Sequence, residues 1–172
     1  KIDSSDPELI PGEICVRGEN VMAGYYKNQE ATEKVIDKDG WLHTGDMGTV
    51  NNDDTIFIKG RYKTMILGAS GQNIYPEEIE SKLNNMPFIM ESLVIEKDGR
   101  LVALVYPDYE AVDDYGIANE DLPVAMEEIR KNLNKEVAPY EQIAKIHLYP
   151  TEFEKTPKRS IKRYLYTNFS PI

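Results

Sequence analysis

Asp46 closes the tetrapeptide His43-Thr44-Gly45-Asp46, and Arg61 follows downstream with Tyr62 and Lys63 beside it. An ionised carboxylate only accepts hydrogen bonds, and its two oxygens can take a pair of neighbouring hydroxyls at once. Gly45 lets backbone and ligand come close, and the planar fork of Arg61 suits oxyanions and hydroxyl pairs. Each also has a plainer reading: Thr44-Gly45-Asp46 as a turn, and Arg61 in a surface ion pair that contributes little. Two further stretches could do chemistry. Gly68 to Asn73 is a loop of small residues that includes Gly68, Ser70 and Gly71, and it lacks the G-x-x-x-x-G-K-[ST] pattern of a triphosphate loop. Lys155 to Arg163 is basic, with Lys158 and Lys162 as flexible cations. His43 and His147 are the only histidines and have no metal set or nucleophilic triad around them in sequence, so each is assigned to packing or solvent.

The elements that must position these residues follow from periodicity and turn chemistry. Lys1 to Ile10 is polar and aperiodic, a surface lead-in. Glu13 to Gly18 alternates Ile14 and Val16 with polar residues, as a half-buried strand does. Gln29 to Ile36 reads as a short helix, and Met47–Val50 and Thr55–Lys59 as strands joined by Asn51-Asn52-Asp53-Asp54. Arg61 and Lys63 then bracket Tyr62 where one strand ends and the apolar run Thr64 to Leu67 begins, as at a junction between two packed units. Pro76 fits the first helical position, Glu77, Glu78 and Glu80 complement that helix's positive end, and Pro87 closes it. Asp98-Gly99 between Ser92–Glu96 and Leu101–Tyr106 is a hairpin signal. An acidic connection, Asp108 to Asn119, leads to Asp121, an expected N-cap for a helix with Leu122, Met126, Ile129, Leu133 and Val137 on one face, ended by Pro139. Ile143 to Tyr149 alternates as a strand. The basic tail runs into a helix or ragged end with Ile161 and Leu165 facing inward.

The chain of 172 residues is long enough to bury a core, and its composition, 41% hydrophobic and 29% charged, is that of a globular protein. A net charge of −10 argues against nucleic acid, which needs basic clusters to neutralise phosphates. Cys15 is the only cysteine, which rules out an internal disulfide and, by sequence, a cysteine-based zinc site; it suits a reducing cytoplasm. No apolar run has the length to span a bilayer, and the first residues are not a secretory signal. The absence of an initiator Met at Lys1 reads as an excised piece of a longer protein.

Three stretches in order, Pro11 to Thr32 (PGEICVRGENVMAGYYKNQEAT), Trp41 to Gly48 (WLHTGDMG) and Gly60 to Glu80 (GRYKTMILGASGQNIYPEEIE), closely resemble the adenylate-forming (AMP-binding) enzyme superfamily. The resemblance runs from about Pro11 to Tyr164. Within that superfamily the chain looks like the C-terminal portion of an acyl-CoA synthetase of the long-chain fatty-acid type. The resemblance implies an α+β fold: residues 1–62 as the mostly β end of the large AMP-binding domain, and residues 63–172 as a small mobile C-terminal domain with a short β-sheet flanked by helices.

The same resemblance implies the site. Asp46 would hold the ribose of ATP and of the acyl-adenylate, and Arg61 the nucleotide sugar or phosphate. Lys63 would be the hinge, solvated in both domain orientations, and Gly68, Ser70 and Gly71 would line the channel for the pantetheine arm of CoA. The family's catalytic lysine, which reaches the α-phosphate and the substrate carboxylate, falls at Ser160 when Ile161 and Arg163 are kept in register. Serine cannot supply that charge. Either Lys158 or Lys162 reaches the same point, or adenylation is weak. Tyr25 and Tyr26 would pack in the core or over the nucleotide site. ATP or AMP and CoA are then substrates, with Mg²⁺ bound by upstream residues absent here; the partners are the missing N-terminal domain and a fatty acid. This piece alone would be inactive. A non-enzymatic module binding CoA or a carrier protein, and an acyl-carrier-protein synthetase, stand as alternatives.

Overall fold

The computed structural model describes residues 1–167 and residue 169. The chain divides into two compact units, Lys1–Met65 and Ile66–Ile172. That division falls three residues beyond the 62/63 boundary expected from sequence.

The first unit is an antiparallel sheet in the order β1-β2-β3-β4, with β1 Ile2–Asp3, β2 Gly12–Val16, β3 Leu42–Val50 and β4 Ile56–Arg61. The lead-in is therefore not all loose surface: Ile2 pairs with Ile14 and is buried. Two residues carry no periodicity, which is why the strand escapes the sequence. Gly12 is required here, because a Cβ on it would lie 2.2 Å from the Asp3 carbonyl oxygen. A helix, α1 Gln29–Glu33, is shorter than expected and is capped by the Asn28 side chain, which accepts the Ala31 N–H. Tyr25 and Tyr26 are exposed, which removes the expected core placement and leaves the other, over the nucleotide site.

The second unit opens with a two-stranded ribbon, β5 Ile66–Leu67 and β6 Asn73–Ile74, then α2 Pro76–Leu83. Its main sheet has β7 Ile89–Lys97 and β8 Arg100–Pro107 as an antiparallel hairpin, and β9 Ile143–Leu148 parallel to β8. Asp98 and Gly99 both adopt positive φ (51° and 72°), the backbone twist that a two-residue hairpin turn demands. The crossover from β8 to β9 contains α3 Tyr109–Asp114, inside the stretch expected to be a polar connection, and α4 Leu122–Glu136. Asp108 caps α3 through its side chain, whereas Asp121 makes no side-chain cap for α4.

Both faces of this sheet are covered, which explains near-continuous apolar runs in β7 and β8. Val94, Leu101, Ala103 and Val105 pack with Ile79 and Leu83 of α2 and with Met126, Ile129 and Leu133 of α4. The alternate residues Leu93, Ile95, Val102 and Leu104 pack with Phe153 and Tyr166 of the tail, with Ile161 alongside. Leu165 is exposed, contrary to expectation. The tail closes in a single 3₁₀ turn, Arg163–Leu165, rather than an α-helix, and this turns Tyr166 inward in place of Leu165.

Candidate active site

His43 to Asp46 lie within β3, so the tetrapeptide is extended strand rather than a hairpin turn. Gly45 has φ +75°, a left-handed kink that a side chain would resist. A shift in register between Met47 and Gly48 accompanies the kink. Arg61 ends β4 directly opposite Asp46, and its Nη1 lies 3.1 Å from Asp46 Oδ1. The Arg61 side chain is 57% exposed and that of Asp46 34%. Such a pair holds its geometry weakly in water, which leaves both groups open to a ligand that offers hydroxyls to one and an oxyanion to the other.

What fixes the kink lies behind it. The Gly45 N–H donates to Glu13 Oε1 at 2.9 Å, and Glu13 Oε2 faces His43 Nδ1 at 2.8 Å. His43 Nε2 in turn lies 3.5 Å from Asp37 Oδ2. Thr44 donates its hydroxyl to the Ile14 carbonyl and accepts the Asp46 N–H. His43 is thus a bridge between two carboxylates and not a packing residue, which corrects the assignment from sequence. Its hydrogen bond to Glu13 raises its pKa above the usual imidazole value, with burial opposing. Asp37 is held below the usual carboxylate range, chiefly by the backbone N–H of Trp41.

Glu13, Cys15 and His43 also bring three potential ligand atoms within 4.8 Å of one another, so a single cysteine does not by itself exclude a cysteine-containing metal group. The chemistry of the set disfavours an ion. Both Glu13 oxygens are already engaged, and burial pushes the Cys15 thiol up, away from the thiolate a metal needs.

Lys63 is exposed in the 3₁₀ turn Tyr62–Thr64, at whose start the Thr64 hydroxyl bonds the Arg61 carbonyl. In the second unit, the Gly68 N–H donates to the Gln72 carbonyl and the Gly71 N–H to that of Gly68, while the Ser70 hydroxyl bonds Gln72 Oε1. Gly68 and Ser70 line an open cavity of about 460 Å³ together with Arg100, Arg130, Tyr140 and Gln142; Gly71 is not in its wall. Lys158 and Lys162 belong to a hairpin closed by a bridge between Lys155 and Ile161. Lys158 is at its exposed tip, and Lys162 is bound to Glu154 at 3.2 Å. Ser160 is exposed, and its N–H bonds the Thr156 hydroxyl. Arg159, immediately before Ser160, adopts φ +63°.

Asp46 and Arg61 are therefore brought together, Lys63 follows Arg61 in the adjoining 3₁₀ turn, and the remaining candidates lie on other elements further along the chain. Glu13 was missed by the sequence reading. Its only signal is its place in the Pro11-Gly12-Glu13-Ile14 run, whereas its partners lie some thirty residues on.

No family model matches the chain. It is 39% identical over 158 residues to 4-coumarate–CoA ligase 5 of Oryza sativa subsp. japonica, covering 91% of this chain and 28% of that protein. Among solved structures it resembles o-succinylbenzoate CoA synthetase from Bacillus subtilis in complex with an acyl-adenylate intermediate. There the TM-score is 0.80 and the identity 26%, over 99% of this chain and 34% of that one. It also resembles ATP-bound MatB from Rhodopseudomonas palustris, with a TM-score of 0.72 and 25% identity over 94% of this chain and 31% of that one. The chain thus spans between about a quarter and a third of the length of these relatives. In sequence and in α+β fold, the chain resembles the C-terminal part of enzymes of the adenylate-forming (AMP-binding) superfamily.

Proposed function

We propose that this chain works as part of an ATP-dependent, AMP-forming acid–CoA ligase, supplying a sugar grip, a hinge and a mobile lid. In that reaction a carboxylate attacks the α-phosphate of ATP, releasing pyrophosphate and leaving an acyl-adenylate. The thiol of CoA, losing its proton, then attacks the acyl carbon, and AMP departs. Asp46 accepts the ribose hydroxyls and Arg61 contacts the sugar or phosphate. Lys63 is the hinge between residues 1–62 and 63–172. Gly68, Ser70 and Gly71 border the passage for the pantetheine arm. Lys158 or Lys162 brings positive charge to the α-phosphate and substrate carboxylate, where the family's lysine position holds Ser160.

The observation that carries this reading is the pairing of Asp46 with Arg61 at 3.1 Å across adjacent strands, beside a kinked glycine. Mg²⁺ is expected in the whole enzyme, held outside this chain. A hard cation takes carboxylate oxygens, and both oxygens of Glu13 are engaged by Gly45 and His43.

The acid is proposed to be a fatty acid, in a cytoplasmic setting. The similar ligase of rice is named for 4-coumarate, so an aromatic acid is the competing substrate. Pyrophosphate exchange and thioester formation by the longer protein, with palmitate against 4-coumarate and CoA against carrier protein, test these points. Asp46→Ala is expected to raise the KM for ATP at least ~10-fold, by loss of a charge-assisted hydrogen bond. An unchanged KM, or acyl-CoA formation by these 172 residues alone, overturns the proposal. Ser160 in the lysine position favours a second reading, a non-enzymatic module that binds CoA or a carrier protein. That reading predicts CoA binding with no pyrophosphate exchange in the longer protein.

A further inference from the structure

The tail from Phe153 to Tyr166 is tied down at several points, and the ties differ in kind between its two candidate lysines. Arg163 donates from Nη1 to both oxygens of Glu80, at 2.7 and 2.9 Å, and from Nη2 to the Val94 carbonyl at 2.8 Å. Glu80 is buried and also accepts the Val94 N–H at 2.6 Å. The Glu154 N–H donates to the hydroxyl of buried Tyr166 at 2.7 Å. At the base of the hairpin the Lys162 N–H donates to the Glu154 carbonyl at 2.8 Å, and its ammonium meets the Glu154 carboxylate. Lys155 pairs with Glu91 on β7. Beyond these ties the Thr156 N–H closes the hairpin onto the Ser160 carbonyl at 2.8 Å. Lys158 at the tip is exposed and makes no hydrogen bond or ion pair among the described residues.

The geometry points to a division of labour: Lys158 is the cation presented to the nucleotide, and Lys162 belongs to the anchor. Glu80, Glu154, Arg163 and Tyr166 are positioning residues that hold the arm rigid. This rests on the reading under Proposed function. A long lysine on a wandering loop spends its binding on being ordered. On a hairpin fixed at its base, only the side chain itself remains to be ordered. Because Lys158 lies two residues before Ser160, an arm fixed in register lets a flexible stem cover that offset.

The test uses Tyr166→Phe, which removes one hydroxyl and leaves the ring packing, in the longer enzyme. Hydrogen exchange at the Thr156 and Lys162 amides reports the arm directly. Acyl-adenylate formation and thioester formation from supplied acyl-adenylate are measured separately. The inference expects exchange at those amides about 10-fold faster, acyl-adenylate formation about 10-fold slower, and the thioester step changed less than 2-fold. It also expects Lys158→Ala to slow acyl-adenylate formation at least 10-fold more than Lys162→Ala. If Lys158→Ala slows that step and Tyr166→Phe loosens the arm without slowing it, or slows both steps equally, the positioning role is wrong. If Lys162→Ala is the more damaging change, the division of labour is wrong. If neither lysine matters, the reading under Proposed function fails and this inference with it.

Discussion

Replacing Arg163 by Met tests how the tail is fastened to the second unit. The Glu80 side chain is 11% exposed and that of Arg163 20%, and the two share a bidentate contact. Removing one partner of a buried ion pair costs about 3–5 kcal/mol, because the other charge stays buried without compensation. For a unit of about a hundred residues, each kcal/mol moves the midpoint by roughly 4–8 °C, so a fall of ~12 °C or more is expected. Burial raises the pKa of Glu80, with Arg163 opposing, and loss of the arginine removes that opposition. A carboxyl whose folded pKa is raised contributes stability below its unfolded pKa and loses it as pH rises through the folded value. The deficit of Arg163→Met is therefore largest at and above neutral pH and shrinks as pH falls towards the unfolded carboxyl range. Adding Glu80→Gln, which keeps an oxygen for the Val94 N–H, should recover a large part of the loss. Calorimetry of the single and double variants between pH 4 and 8 decides the matter. A drop under about 4 °C, or a double variant less stable than Arg163→Met, would refute the reasoning.

Other outcomes follow from single features. Because the His43 pKa is raised by its bond to Glu13, the stability His43 lends is fully present below the unfolded imidazole value and fades as pH rises through the folded value. The first unit should thus unfold more readily above that value, His43→Gln should flatten the profile, and NMR titration of the ring locates the midpoint. Leu104 is fully buried in the central strand, so Leu104→Ala should cost about 2–5 kcal/mol in denaturant unfolding. Arg159 sits at φ +63°, a conformation that costs a side chain roughly 1–2 kcal/mol. Arg159→Gly should therefore leave the melting midpoint unchanged or raise it slightly.

What was legible in the sequence was local. Asp98-Gly99 declares a tight hairpin because both residues tolerate positive φ, and Met126, Ile129 and Leu133 fall on one helical face and are buried together in α4. Expectation failed where the deciding contact was remote or the element short. The assignment of His43 to packing or solvent fails because its partner Glu13 is thirty residues away on a neighbouring strand. Leu165 was placed inward by helical spacing, but three residues per turn in the 3₁₀ tail bury Tyr166 instead. The helix Tyr109–Asp114 is too short and too acidic to announce itself, and Asp108 stabilises it with a cap. At the candidate site, the residue types of Asp46 and Arg61 suggested a grip on a sugar. Their pairing needed the register of β3 against β4, which no local pattern encodes.

Discrimination between ATP and 2′,3′-dideoxy-ATP by the longer enzyme, with and without Asp46→Ala, tests the sugar grip most directly. The account predicts that the unaltered enzyme binds the dideoxy compound at least ~10-fold more weakly, as loss of hydrogen bonds to a charged group implies, and that Asp46→Ala binds both nucleotides within 2-fold of each other. A variant that still distinguishes the two nucleotides as strongly as the parent would contradict it.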